Sequence, residues 1–221
     1  REAGGPSLAT VKKILDEMKR GGIKKVIFVG GEPFLHPAWV ETLAYSHGLG
    51  FTSSFVSNGT LITEHIVKRI SGFVGEGLIS IHGDEETHDD ITTVKGSYQK
   101  AVAGLRILSE NGFKTGVYFT LTEPNHSKLY AAVRNLIEVQ KVDFTWLALN
   151  RDLPVGKGNA YYRNPLSPQS YHVVLEQIEK IWQVYDRPTF LEVSLPFCLV
   201  DKKYHRYILT CRTGISHTAI D

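Results

Sequence analysis

Cysteine is scarce in this chain, with only Cys198 and Cys211 among 221 residues. Two thiols cannot staple a small secreted domain together, so a reducing cytoplasm is the expected compartment. Sequence alone leaves a bond between them open. No apolar run approaches the roughly 20 residues of a membrane span, and no membrane partner is expected. No block of like charges is long enough to be a tail. The formal net charge of +2 argues neither for nor against nucleic acid, and none is expected as a partner. A Gly-x-Gly-x-x-Gly after a strand and a phosphate-loop lysine motif are both missing, which lowers the dinucleotide and nucleoside-triphosphate readings. The opening segment, Arg1 to Pro6, has no apolar centre and is no signal peptide. It also lacks an initiator Met, so the expectation is a chain that begins inside a longer gene product.

What is present is ordinary for a soluble globular protein: 42% hydrophobic and 22% charged residues, enough for one domain with a sizeable core. Apolar strands and amphipathic helices alternate. Leu8, Val11, Ile14, Leu15 and Met18 recur at helical spacing after a capping Ser7. Strands are expected near Val26–Val29, Thr52–Val56, Leu78–Ile81, Thr115–Leu121, Phe144–Leu149 and around Phe190. Helices are expected between them, with Thr63 capping the third, a long polar loop from Asp84 to Ser97, and Ser127 capping the fifth. Ser167-Pro168 opens the last helix, serine at the cap and proline in the first turn. This alternation predicts parallel strands with right-handed crossovers, either a barrel or a doubly wound sheet. Ligands bind at the C-terminal strand edge in both.

The turns after the strands carry the candidate chemistry. Gly30-Gly31-Glu32-Pro33 follows a buried strand; two glycines let backbone approach a ligand, and Glu32 adds an acceptor-only anion. That combination suits a zwitterion such as an amino acid. Ser57-Asn58-Gly59 ends the next strand, although Asn-Gly is also the commonest simple turn. Ser80 and His82 share a face by strand alternation. Thr120 is a weaker candidate than Glu32, and Asn125 reads as an Asx-type turn residue. Arg151, with Pro154, Gly156, Lys157 and Gly158, could cradle an anion or form a bland surface loop.

The string Gly-Gly-Glu-Pro-Phe-Leu-His-Pro at residues 30–37, with Ser57-Asn58-Gly59 and Ser80-Ile81-His82-Gly83, closely resembles radical S-adenosylmethionine (SAM) enzymes. The resemblance implies a partial (β/α)6 TIM-like barrel. It places Gly30, Gly31, Glu32 and Pro33 at the methionine amine, and Ser57, Asn58 and Ser80 beside the cofactor. His82, where the family often has Asp, Thr120 and Arg151 become cofactor or substrate candidates. It also implies a 5′-deoxyadenosyl radical that abstracts hydrogen, in peptide modification or in haem-like or quinone cofactor synthesis. A [4Fe–4S] cluster, a small-molecule or peptide substrate, and a flavodoxin- or ferredoxin-like electron donor go with it. No residue emerges as general acid or base. The cluster needs three closely spaced thiolates, which this sequence lacks, so strand one and the cluster loop are expected upstream and the fragment alone inactive. Cys211 resembles the entry to a SPASM or twitch extension, an auxiliary iron–sulfur ligand in a longer protein. The domain expectation is a barrel core at residues 1–195 and the start of that extension at 196–221. The unpaired edge left by the absent strand invites dimerisation. Two other readings compete: a non-catalytic barrel scaffold, and a cluster-free aldolase or isomerase.

Overall fold

A computed structural model describes residues 5–151, 166–192 and 195–209. Helices and strands alternate within it: α1 (Leu8–Arg20), β1 (Lys25–Phe28), α2 (Trp39–Gly48), β2 (Thr52–Ser57), α3 (Glu64–Ile70), β3 (Glu76–Ser80), α4 (Glu85–Thr92), α5 (Ser97–Glu110), β4 (Lys114–Leu121), α6 (Leu129–Arg134), β5 (Trp146–Arg151), α7 (Pro168–Tyr185) and β6 (Thr189–Leu191). The caps read from sequence do their work. Ser7, Thr63 and Ser167 each accept the backbone N–H three residues on, at the starts of α1, α3 and α7.

All six strands are parallel and stand in chain order, β1-β2-β3-β4-β5-β6. A doubly wound sheet would reverse order at a switch point. The unbroken order settles the architecture as a partial barrel wound in one direction. The Ser53 hydroxyl meets Ser46 of α2 at 2.8 Å, which identifies the helix-facing set. Through the register, Phe55, Ile79, Val117 and Leu147 share that face and are at most 1% exposed. The alternate residues line the concave face. Its floor is closed by Trp146, which lies against Gly116; a Cβ there would come within 2.6 Å of the indole. Lys114 covers the same ring at 5.1 Å. Residues beyond β6 join the same core: Leu209 donates to the Leu191 carbonyl, and Tyr204, Tyr207 and Ile208 are buried.

Three expectations need correction. The polar stretch 84–97 is not all loop, because α4 occupies its first half. The Asp84 carboxylate caps it by accepting from Thr87 N at 3.0 Å. It has no apolar stripe to betray it; Thr87 and His88 are the residues it buries. The fifth strand runs two residues later than expected, so Asn150 and Arg151 lie on β5 opposite Thr120 and Leu121. Phe144 is buried ahead of the strand without belonging to it. Finally, Ser127 sits inside a 3-10 turn (His126–Lys128) and caps nothing; α6 follows it. Among the described strands β1 pairs with β2 alone; Ile27 on its concave face is 45% exposed, and Val29, one residue past its end, is 66% exposed.

The turn after β2 is held from behind by α5. A Cβ on Gly104 would collide with the Gly59 carbonyl, and one on Gly59 would sit 3.1 Å from the Ala101 Cα. Gly59 also has φ +76°, which an L side chain rarely adopts. Gly104→Ala is therefore expected to cost about 1–3 kcal/mol through overpacking, and urea unfolding measures it. Backbone amide shifts should concentrate at Asn58 and Gly59; unchanged stability would refute the close contact.

Candidate functional site

Two polar knots and one row of side chains occupy the C-terminal edge and concave face. The first knot is built on Glu32. Its Oε1 accepts from Phe34 N at 3.2 Å and from the Ser57 hydroxyl at 2.8 Å, and its Oε2 accepts from Asn58 N at 2.8 Å. One carboxylate thus joins the turn after β1 to the turn after β2. Ser57 Oγ in turn accepts from Gly59 N at 3.0 Å. Asn58 Oδ1 accepts from the Thr60 amide and hydroxyl, at 2.9 and 2.7 Å. A carboxylate offers about four lone-pair positions, and three are engaged. His36 anchors the chain just before α1, its Nδ1 accepting from Ala38 N and its Nε2 meeting the Pro6 carbonyl at 2.8 Å. Gly30 and Gly31 remain exposed beside the knot. Gly30 has φ +139°, and nothing lies within 4 Å of a Cβ placed on either glycine.

The second knot joins β3 to β4. His82 Nδ1 accepts the Thr120 amide at 3.2 Å, taking the next rung of the ladder past the end of β3. The His82 amide donates to His88 Nδ1 at 3.1 Å, and the two rings stack with centroids 5.5 Å apart. Because each Nδ1 is an acceptor, each neutral ring carries its proton on Nε2. Burial pushes His82 down to about 3, and the neighbouring His88 acts the same way. Burial also lowers His88, against the opposing pull of Asp89. Asn125, fully buried, donates to the carbonyls of His82 and Thr120 at 2.9 Å and accepts from Thr122 N at 2.7 Å. Asn125 does not form the expected Asx turn, because its Oδ1 accepts from Thr122 N behind it and not from Ser127 N ahead. Its amide is a cross-strand brace.

The row lies on the concave face: Ser80 stands opposite Tyr118 in register, Asn150 is two residues past Ala148, the register partner of Tyr118, and Glu192 follows β6. Asn150 Nδ2 donates to Tyr118 Oη at 2.5 Å, and Asn150 Oδ1 accepts from Arg151 N at 2.8 Å. Tyr118 and Asn150 were not among the sequence candidates. The alternation of β4 signals Tyr118, whereas Asn150 was hidden by the misplaced end of β5. Arg151, exposed and on the opposite alternation, joins neither knot through its side chain. Pro154, Gly156, Lys157, Gly158 and Cys211 lie outside the described residues.

Two outcomes follow from the knots. Glu32→Gln replaces one acceptor with a donor facing other donors. It should cost about 1–3 kcal/mol and speed hydrogen exchange at the Asn58 amide; unchanged exchange would exclude the carboxylate as its partner. For His82, the unfolded imidazole titrates near 6.5 and the folded one near 3. The unfolded chain therefore binds more protons between those values. The contribution is complete above pH 6.5 and falls by up to about 1.4 kcal/mol per unit as pH drops toward 3. Unfolding between pH 7.5 and 5 should lose about 2 kcal/mol less in His82→Asn than in wild type, and parallel losses would refute this.

The sequence and the fold match known proteins. A profile of the Radical SAM superfamily matches residues 2–136. The Fe-coproporphyrin III synthase of Methanosarcina barkeri is 28% identical over 178 residues, covering 77% of this chain and 43% of that protein. The pre-heme d1 synthase of Dinoroseobacter shibae is 30% identical over 158 residues, covering 71% and 38%. The chain thus spans less than half the length of these curated relatives. In structure, Streptococcus suis SuiB bound to S-adenosylmethionine aligns with TM-score 0.69 at 16% identity, over 84% of this chain and 43% of SuiB, a likeness of fold. The chain belongs to the Radical SAM superfamily.

Proposed function

We propose that this chain is the SAM-binding barrel core of a radical SAM enzyme whose cluster ligands lie outside the sequence. The observation that carries the reading is the open Gly30-Gly31 backbone braced by the Glu32 carboxylate. Backbone free of side chains, at a φ that favours glycine, leaves room for a ligand to sit against peptide groups. The Gly30 and Gly31 carbonyls and the remaining Glu32 lone pair supply acceptors for an ammonium group. The Ser57 O–H is engaged in its hydrogen bond to Glu32, so its role is to hold the turn. Ser80, half-buried on the concave face, offers a hydroxyl to ribose or carboxylate. His82, Thr120 and Asn125 keep β3 and β4 together beneath it. When bound, S-adenosylmethionine supplies the 5′-deoxyadenosyl group that accepts substrate hydrogen; the protein's share is binding, orientation and water exclusion.

An iron–sulfur cluster does not fit the residues present. Two cysteines thirteen positions apart cannot supply three thiolates, and no group of three potential metal ligands occurs among the described residues. The 221-residue chain alone is therefore proposed to lack radical activity. Cys211 is proposed as an auxiliary-cluster ligand in the longer protein, with an electron donor of flavodoxin or ferredoxin type. The aldolase reading finds no support among the described residues. The concave-face lysines, Lys25 and Lys114, lie at the N-terminal end, against Glu76 and Trp146 respectively. No helix among the described residues is long and apolar enough to cross a membrane.

Equilibrium dialysis with labelled SAM tests the reading. Wild type should bind. Gly30→Ala, strained at φ +139°, should bind at least about tenfold more weakly, a loss of 1.4 kcal/mol or more, with an unchanged far-ultraviolet spectrum. No binding by folded wild type would sink the proposal. The open edge of β1, with Ile27 and Val29 exposed, supports dimerisation through strand pairing. Light scattering at high concentration should show a dimer that Ile27→Lys weakens, and a monomer throughout would exclude it.

A further inference from the structure

Two polar groups at the end of β3 have no partner among the described residues. Ser80 closes the strand, and His82 lies two residues on, roughly 7 Å further along. The extended backbone continues between them, since the Ile81 amide still donates to the Tyr118 carbonyl at 3.0 Å. Ile79 and Ile81 are fully buried on the other alternation. Ser80 and His82 are both half-buried. Neither the Ser80 hydroxyl nor His82 Nε2 is among the buried polar atoms sealed in the interior without a partner. Each is therefore open to a ligand at the C-terminal edge.

The tautomer fixes what His82 can do there. The Thr120 amide can only donate, so Nδ1 is held as an acceptor and the ring proton stays on Nε2. A ring flip would set a C–H against that amide and lose the bond. The stack on His88, at 19° between planes, and the edge contact with Phe119 hold the ring in this orientation. Burial, with His88 acting the same way, keeps the imidazole neutral. Nε2 can thus donate a hydrogen bond and cannot accept one, and the ring cannot act as a base while Nδ1 is engaged.

The edge is polarised as a result. At the gap between β1 and β2 the free groups are acceptors, the Gly30 and Gly31 carbonyls and the last Glu32 lone pair. At the gap between β3 and β4, roughly 10 Å away across two strand spacings, the free ring nitrogen is a donor. An ammonium suits the first place and finds no acceptor on His82 at the second.

We infer that His82 Nε2–H is a fixed donor to an acceptor oxygen of the substrate, an amide carbonyl or a carboxylate, and that a group able only to donate is rejected there. It rests on the proposed function in one respect: SAM takes the first gap and reaches as far as Ser80, so His82, beyond Ser80 along the strand, faces what binds next to it.

The test is a long-range proton–nitrogen NMR spectrum of the 221-residue chain labelled in histidine. Without ligand, Nε2 of His82 should be the protonated nitrogen, and a protonated Nδ1 would overturn the assignment. N-acetylglycine N-methylamide supplies a carbonyl, coproporphyrin III supplies carboxylates, and methylammonium supplies donors alone. At least one of the first two should shift Nε2, and which one does so tells a peptide source from a tetrapyrrole. Methylammonium should leave it unmoved. His82→Asn keeps an acceptor for the Thr120 amide and lacks the Nε2 donor, so it should bind the responding probe at least about tenfold more weakly. No shift by either acceptor probe, a comparable shift by methylammonium, or undiminished binding in the variant would each overturn the inference. SAM is added in parallel. A shift of Nε2 by SAM alone would assign His82 to the cofactor and end the substrate reading. SAM binding without a probe response overturns this inference alone, and failure of both overturns the proposed function as well.

Discussion

The carboxylate of Glu32 is where the candidate site begins. It stands in the gap between two parallel strands at the point where backbone hydrogen bonding ends, and three donors from two turns converge on it. A charged acceptor in such a place strengthens each bond beyond a neutral one. Without it, the Ser57 hydroxyl and the Asn58 amide would need other partners. The position of the Gly30-Gly31 backbone depends on the same anchor, because those glycines have no side chains to hold them. Openness to a ligand and freedom from internal support are one property here, and Glu32 reconciles them.

The neighbouring strands solve the same problem with neutral groups. Past the end of β3, a His82 ring nitrogen stands in for a peptide carbonyl, and Asn125 binds both strands at once. The solution requires an uncharged imidazole, and burial keeps it so. Behind these turns, close approach of α5 to Gly59 sets their height above the sheet. The convex side is thus packed to contact, while the concave side keeps a polar row open. A barrel of this kind can carry different chemistries on one frame, since the frame is held from the helix side and recognition is placed on the other.

The relatives divide between porphyrin-type products and peptides. SuiB is known with a precursor peptide bound, whereas the Methanosarcina barkeri protein is named for an iron coproporphyrin. Shared ancestry does not choose between them at these identities.

Sequence by itself determined the class of fold, since alternating periodicities with short connections leave parallel strands as the economical solution. It also determined the family, because the Gly-Gly-Glu-Pro string and its successors recur at β/α spacing. Ser7, Thr63 and Ser167 were legible as caps because a cap is a local bond between residues three apart. Only the tertiary structure decided between barrel and doubly wound sheet, since strand order is a long-range property. It alone joined Glu32 to Ser57 and His82 to Thr120, residues distant in the chain that meet only across strands. It revealed α4, whose polar sequence hides a helix held by one cap and two buried side chains. It also brought Tyr118 to Asn150, a pair that exists only once the register of β4 against β5 is set. Local bonds are written in neighbouring letters, and cross-strand bonds depend on register, which no single segment contains.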